Sequence, residues 1–215
     1  MNDSKIIKVV PISDLFSITW MLGKFCNYDC MYCPDYLHDA TSVPHSLDKL
    51  QQSWTKVYKK TEHLSLNYKI AFTGGEVTAN KNFLPFVKWM RDNYECVKQI
   101  IITTNGSASE RYYLDLAQYV DSISFSTHSE FIKEKEFFNK AVAINQVMPR
   151  PGKSFHVNIM NEHWNQDRIE LYKTFLDQAQ ISYSVDEIDY TKSVRTFFIK
   201  KGTYDIEQLV QPSEL

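Results

Sequence analysis

Three cysteines lie close together in the stretch FCNYDCMYCP, which spans residues 25–34. Their C-x₃-C-x₂-C spacing allows one loop to bring Cys26, Cys30 and Cys33 to a common centre. Four explanations are open: a disulfide with one thiol left over, a zinc site, an iron–sulfur cluster or a chance grouping. In a reducing compartment, clustered cysteines are more often metal ligands or catalytic groups than structural disulfides.

The two metal explanations make different demands on the rest of the chain. A structural zinc site takes four ligands, commonly in two separated pairs, and only one further cysteine, Cys96, is present. His38 or His45 could supply the fourth ligand, so a zinc site stays open. A cubane cluster held by three cysteines leaves one iron without a protein ligand, and a small molecule can bind that iron. Soft thiolate ligands favour such clusters.

Composition restricts the class of protein. The chain has 215 residues, of which 43% are hydrophobic, and this is enough for one large domain with a substantial core. The formal net charge is −2, which does not favour general nucleic-acid binding. The sequence has no signal-peptide pattern and no apolar run near the roughly 18 residues of a membrane span. We therefore expect a cytoplasmic protein without a membrane partner.

Short apolar runs rich in β-branched residues alternate with longer segments of helical period. The predicted strands are residues 17–22, 68–76, 97–106, 120–129, 154–161 and 181–188. The predicted helices are residues 46–60, 83–94, 109–119, 133–148 and 166–180. This alternation predicts parallel βαβ units with right-handed crossovers.

The number of strands decides between a closed and an open barrel. Closure of a (β/α)₈ barrel usually takes about 200 residues or more, and here the alternation stops after the sixth strand. The prediction is an α/β fold, a TIM-like (βα)₆ partial barrel that stays open. We expect the core domain to span residues 1–190 and a short C-terminal extension to span residues 191–215. The apolar run RTFFI (195–199) in that extension could add an edge strand.

In parallel α/β folds, ligands bind at the carboxyl ends of the strands. Four polar stretches follow predicted strands: the cysteine loop, TGGE at 73–76, TTNG at 103–106 and STHS at 126–129. We therefore expect these four stretches to meet at one edge of the sheet and to form one site.

The amino-acid sequences of two of these stretches resemble motifs of a known family. CNYDCMYC, followed after the next strand by TGGE, is similar to the radical S-adenosylmethionine (radical SAM) superfamily. The family signature is C-x₃-C-x₂-C with an aromatic residue before the last cysteine, here Tyr32. The family also carries a Gly-Gly-Glu-like turn, matched by Gly74, Gly75 and Glu76. The family core is a (βα)₆ partial barrel, and the resemblance covers about residues 17–190.

The resemblance implies a cofactor pair and a radical reaction. Cys26, Cys30 and Cys33 would ligate a [4Fe–4S] cluster, and the fourth iron would bind the amino nitrogen and carboxylate oxygen of S-adenosylmethionine. An electron from the reduced cluster would then break the S–C5′ bond. The resulting 5′-deoxyadenosyl radical would abstract a hydrogen atom from a substrate. A flavodoxin- or ferredoxin-like electron donor is the implied protein partner.

The resemblance also implies a set of cofactor-binding residues. The Gly74–Gly75 turn would let the backbone approach the methionine moiety, Glu76 would accept a hydrogen bond from its amino group, and Tyr32 would lie near the adenine. The remaining predicted contacts are Thr73, Asn105, Ser126, His128, Asn158 and Met160. Each has an ordinary alternative: Asn-Gly at residues 105–106 is a common turn, and a strand methionine is usually a core residue.

The substrate is less constrained than the cofactors. Pro34 after the last cysteine favours a peptide or protein side chain as the substrate, and the sequences TGGE and FSTH favour the same substrate class. The compact size favours instead a nucleotide- or sugar-modifying enzyme similar to 7-carboxy-7-deazaguanine synthase. A noncatalytic iron–sulfur or zinc protein is the third alternative. No residue that reacts with substrate is predicted, although Asp186 and Glu187 at the end of the sixth strand are candidate substrate contacts.

Overall fold

A computed structural model describes residues 15–34, 36–148, 150–162 and 164–188. Strands and α-helices alternate along this part of the chain. The strands are β1 (Leu15–Met21), β2 (Asn67–Thr73), β3 (Val97–Thr104), β4 (Ser122–Thr127), β5 (Ser154–Asn161) and β6 (Tyr183–Glu187). The helices are α1 (Leu47–Thr61), α2 (Phe83–Asn93), α3 (Glu110–Leu116), α4 (Glu134–Val147) and α5 (Gln166–Gln178).

The strands form one sheet in the order β1-β2-β3-β4-β5-β6, and every neighbouring pair is parallel. Within the described residues β1 and β6 are the two edges of this sheet and do not pair with each other. The predicted open (βα)₆ partial barrel is therefore confirmed.

Alternation along each strand separates an apolar face from a polar one. Ile70, Ile100 and Ile123 are fully buried on the face that packs against the helices. The opposite side chains form the inner face, where Ser122 and Ser154 lie across from each other with their hydroxyl oxygens 2.9 Å apart. The main core thus lies between sheet and helices, and a polar surface lines the inside of the barrel.

Polar residues fix where several elements begin and end. Ser46 and Ser109 cap α1 and α3 by accepting hydrogen bonds from backbone N–H groups in the first turn, as predicted for Ser109. β2, β3 and β4 each end at a threonine, namely Thr73, Thr104 and Thr127, so the strand predicted over residues 120–129 extends two residues too far at its end. The residues after these threonines form the turns that hold the site.

Two predictions lie outside the part of the chain just described. The edge strand at residues 195–199 and the extension at 191–215 fall on residues that the structure does not describe, so both stay predictions.

None of the described helices is both long enough and apolar enough to cross a bilayer.

Candidate active site at the carboxyl ends of the strands

The cysteine loop leaves β1 and is closed at its base by a short backbone bridge. The N–H of Cys26 donates to the carbonyl of Asp39 at 2.9 Å, and the N–H of Asp39 donates to the carbonyl of Lys24 at 2.8 Å. Inside the loop His38 is only 7% exposed, and its two ring nitrogens lie 3.3 Å from an Asp29 carboxylate oxygen and from the Pro34 carbonyl. His38 therefore braces the loop, and the zinc-ligand alternative does not match its contacts.

The two glycines of TGGE pack directly against the segment that leads into the cysteine loop. Gly75 and Glu76 donate their backbone N–H groups to the carbonyls of Gly23 and Phe25 at 2.9 and 2.7 Å. A Cβ on Gly75 would lie 2.2 Å from the Phe25 carbonyl oxygen. Gly74 has φ +124°, and a Cβ there would lie 2.6 Å from the Gly23 oxygen. The chain itself thus requires both glycines, whereas the sequence suggested a cofactor as the reason.

Glu76 is a buried hydrogen-bond acceptor that joins the ends of β2 and β3. Its Oε1 accepts from the N–H and hydroxyl of Thr78 at 2.8 and 2.6 Å and from the Thr104 hydroxyl at 2.6 Å. Its Oε2 accepts from the N–H of Asn105 at 2.6 Å. Burial raises the pKa of Glu76, and these hydrogen bonds oppose that shift. A carboxylate has about four acceptor sites in all. Oε2 accepts only one of the four hydrogen bonds named here, so it has more remaining acceptor capacity than Oε1.

Asn105 connects this acceptor to the cysteine loop. Its side-chain Nδ2 donates to the Oδ1 of Asn27 at 3.0 Å, and its Oδ1 accepts from the N–H of Ser107 at 3.0 Å. Because Asn27 directly follows Cys26, the turn after β3 holds the first cysteine in place. The structure thus brings Asn105 to the site through a contact with the loop.

The β4–α4 loop, residues 128–131, holds the other half of the cysteine loop. The Tyr32 hydroxyl and the Nδ1 of His128 form a hydrogen bond, and their rings stack with centroids 5.9 Å apart. Glu130 accepts a hydrogen bond from the N–H of Met31 at 3.1 Å. Burial lowers the pKa of His128 to about 4 and raises that of Tyr32. The imidazole is therefore neutral at pH 7.

A buried carboxylate, Glu162, secures the β4–α4 loop from the end of β5. It accepts hydrogen bonds from the N–H and the hydroxyl of Ser129 and, at 3.2 Å, from the Nδ2 of Asn165. Burial raises its pKa to about 7. Sequence reasoning missed this residue, since the one available signal was its position directly after a strand.

The predicted residues of β4 and β5 meet on the inner face. The Nδ2 of Asn158 lies 3.4 Å from the Ser126 hydroxyl, and the Ser184 hydroxyl bridges from Asn158 to Asp186 at 3.3 and 3.0 Å. Met160 packs against the apolar cluster of Cys30 and Tyr32. Met160 is thus a neighbour of the cysteine loop, and the rest of this row is polar.

The remaining candidates divide between the site and its surroundings. Thr73 lines a cavity of about 280 Å³ together with Gly75, Glu76 and His45. Glu187 lies one residue past Asp186, hence on the opposite side of β6, where it is exposed and accepts a hydrogen bond from Asn161. Asp186 therefore faces the inner surface and Glu187 does not. Cys96 precedes β3, at the amino ends of the strands.

The chemistry of the thiols fits a group that carries positive charge. All four cysteines lie in the described part of the chain, and none forms a disulfide. Burial raises the pKa of Cys30 and, less strongly, that of Cys26. Buried thiolates of this kind are stabilised by a metal. The described His, Cys, Asp and Glu side chains include no group of three arranged around a single metal ion. A cubane cluster does not require three ligands around one ion, because each thiolate binds a different iron atom.

Sequence comparisons find GTP 3′,8-cyclases among the relatives of this chain. No protein-family model matches the chain. It is 25% identical over 194 residues to GTP 3′,8-cyclase of Haemophilus influenzae strain PittGG, covering 81% of this chain and 54% of that protein. It is 34% identical over 104 residues to GTP 3′,8-cyclase of Pasteurella multocida, covering 45% and 29%. The chain spans about half the length of the first of these curated relatives.

Structure comparisons find the same architecture in larger proteins. Streptococcus suis SuiB, bound to its precursor peptide SuiA, superimposes with a TM-score of 0.62 at 16% identity, covering 90% of this chain and 47% of SuiB. The protein anSMEcpe with bound AdoMet superimposes with a TM-score of 0.60 at 16% identity, covering 86% and 59%. At this level of identity the likeness concerns the fold.

Proposed function

The chain belongs to the radical SAM superfamily, and we propose that it is an enzyme that binds a [4Fe–4S] cluster and S-adenosylmethionine. Cys26, Cys30 and Cys33 would hold the cluster, and the carboxyl ends of the strands would hold S-adenosylmethionine. One observation carries this proposal: the turns after β2, β3 and β4 each form hydrogen bonds to the three-cysteine loop or to the segment that leads into it. A loop held from three sides keeps its thiols in a fixed arrangement, as a preorganised site requires.

When bound and reduced, such a cluster supplies the electron that splits S-adenosylmethionine into methionine and a 5′-deoxyadenosyl radical. The chain's own residues would bind and orient S-adenosylmethionine and shield the site from water. The Oε2 of Glu76 has acceptor capacity for an ammonium group. Ser126 and Asn158 offer hydroxyl and amide groups on the adjacent inner face. Tyr32 and Met160 place apolar surface against Cys30 and exclude water there.

We propose a peptide or protein side chain as the substrate, delivered to the inner face of the open barrel. The superimposition on SuiB with its precursor peptide supports this choice. Seryl, amide and carboxylate groups on β5 and β6 can hydrogen-bond a peptide backbone. A nucleotide is the second candidate, favoured by the sequence similarity to GTP 3′,8-cyclases. A flavodoxin- or ferredoxin-like protein would supply the electron in either case.

The decisive experiment is anaerobic. The protein is reconstituted with iron and sulfide, mixed with S-adenosylmethionine and dithionite, and assayed for 5′-deoxyadenosine by chromatography. Cys30→Ala is the test variant and Cys96→Ala the matched control, because Cys96 lies at the opposite ends of the strands. We expect deoxyadenosine from the wild type and from Cys96→Ala and none from Cys30→Ala. Equal amounts from all three proteins, or bound zinc in place of iron, would contradict the proposal.

The substrate class is tested with the same assay. Addition of GTP or of a mixed peptide pool is compared for its stimulation of deoxyadenosine formation above the substrate-free rate. Deuterated peptides that transfer label into deoxyadenosine identify a peptide substrate directly. Stimulation by GTP alone would favour the nucleotide candidate.

A further inference from the structure

Glu162 is a carboxylate without exposed surface that lies next to the cysteine loop but outside the set of residues used above. Its hydrogen-bond donors are the N–H and hydroxyl of Ser129, the amide of Asn165 and the Trp164 side chain. These donors are uncharged, so they stabilise the ionised carboxylate without cancelling its charge. A buried charge of this kind acts strongly on its surroundings, because little water is present to screen it.

The contacts of Ser129 connect Glu162 to the cluster ligands. Ser129 lies between His128, which bonds Tyr32, and Glu130, which accepts from the N–H of Met31. His128 thus holds the Tyr32 side chain and Glu130 holds the Cys30–Met31 peptide, and both act on the segment between the second and third cysteines. Glu162 therefore fixes the loop that fixes this segment.

The electrostatics of Cys30 agree with this arrangement. Burial is the first cause that raises the pKa of Cys30, and among the acidic groups Glu130 and Glu162 both add to the shift. The same two carboxylates raise the pKa of Tyr32. Cys30 is thus a buried ligand in a negative environment.

We propose that Glu162 is a positioning residue that lowers the reduction potential of the cluster by holding a buried negative charge behind the β4–α4 loop, which contacts Met31 and Tyr32. This inference rests on the proposed function, since it requires the cluster. Reduction adds one electron, taken from the flavodoxin- or ferredoxin-like donor or from dithionite, to the bound cluster. A fixed negative charge nearby disfavours that addition, and net charge is a known determinant of cluster potentials. Once reduced, a cluster at lower potential is the stronger electron donor.

The test is a redox titration of the reconstituted protein at about pH 8.5, followed by electron paramagnetic resonance. Glu162→Gln removes the charge, Glu162→Asp keeps it, and Glu170→Gln removes a charge from the exposed surface of α5. We expect a more positive midpoint potential in Glu162→Gln and wild-type values in the other two variants.

Two outcomes separate this inference from the proposed function. If Glu162→Gln binds a full cluster at an unchanged potential, or if Glu162→Asp shifts equally, Glu162 does not act through its charge and the inference is overturned. If the wild type itself binds no cluster, the proposed function fails first, and iron and sulfide analysis reports that directly.

A second measurement applies if Glu162→Gln does not retain iron. Because burial raises the pKa of Glu162 to about 7, the wild-type midpoint potential should fall as pH rises from about 6 to about 8.5. The titratable groups coupled to this carboxylate are Cys30, Tyr32 and Glu130, and His128 lies next to Ser129 in the β4–α4 loop. His128, with a pKa of about 4, stays neutral in this window.

A potential that is independent of pH overturns the inference.

Discussion

The Oε2 of Glu76 accepts a hydrogen bond from the backbone N–H of Asn105 across 2.6 Å, and this contact joins the turns that follow β2 and β3. The other oxygen of the same carboxylate binds Thr78 and Thr104. Glu76 therefore has a framework role in addition to the S-adenosylmethionine contact proposed for it.

Replacement of Glu76 by Gln should destabilise the protein before any cofactor is bound. An amide cannot accept from all four donors, since one of its ends carries N–H groups and would face a donor. Leaving a buried donor without a partner costs about 1–3 kcal/mol. Urea unfolding of the cofactor-free protein measures this loss, with Glu170→Gln on the exposed face of α5 as control. Equal stability of the two variants would refute the framework role.

Gly75→Ala should remove iron binding together with S-adenosylmethionine cleavage. The new Cβ would lie 2.2 Å from the Phe25 carbonyl oxygen, so the segment before Cys26 must move. Iron and sulfide content after reconstitution is the measurement. Gly152→Asn is the control, because a Cβ at Gly152 meets no atom within 4 Å and Asn tolerates its φ of +80°. Full cluster loading in Gly75→Ala would contradict this expectation.

The Tyr32–His128 pair should govern how firmly the loaded cluster is held. Tyr32→Phe removes the hydroxyl and keeps the ring stack, at a cost of about 1 kcal/mol. His128→Ala removes both interactions and should release iron to a chelator faster than Tyr32→Phe does. Absorbance decay in the presence of EDTA gives the rates. His63→Ala, an exposed histidine before β2, should behave as wild type.

Glu162 should make the stability of the cofactor-free protein depend on pH. Its pKa rises from an ordinary 4.5 in the unfolded chain to about 7 in the folded one. Between these values the folded state binds more protons than the unfolded state, so the free energy of unfolding falls as pH rises through this window. Denaturant titrations at several pH values measure the slope, and Glu162→Gln should flatten it. An unchanged slope in that variant would assign the effect to another group.

The sequence was sufficient for the fold because each strand and helix had its own periodic pattern. β3 shows this well: its run of β-branched residues predicts a strand, and Ile100 and Ile102 are buried in the core. The exact strand ends were less predictable, because the threonines before the Gly-Gly and Asn-Gly turns suit a strand as well as a turn. Only three-dimensional pairing reveals where the ladder of hydrogen bonds stops.

Parts of the site depended on contacts that no local pattern encodes. The reason for Gly75 lies in the Phe25 carbonyl, 50 residues earlier in the chain. Glu162 is of a residue type that is common on protein surfaces, and nothing in its sequence neighbours marks it as buried. Its contact with Ser129, which lies 33 residues earlier in the chain, accounts for its burial.

The contacts that shape the cysteine loop are far apart along the chain. Asn27 and Asn105 are separated by 78 residues, Tyr32 and His128 by 96, and Met31 and Glu130 by 99. Contacts of such long range form only after the intervening segments have come together, and they slow folding. The cysteine loop is therefore expected to reach its final shape only after β4 has joined the sheet, so that insertion of the proposed cluster would act on the folded chain and not on the nascent one.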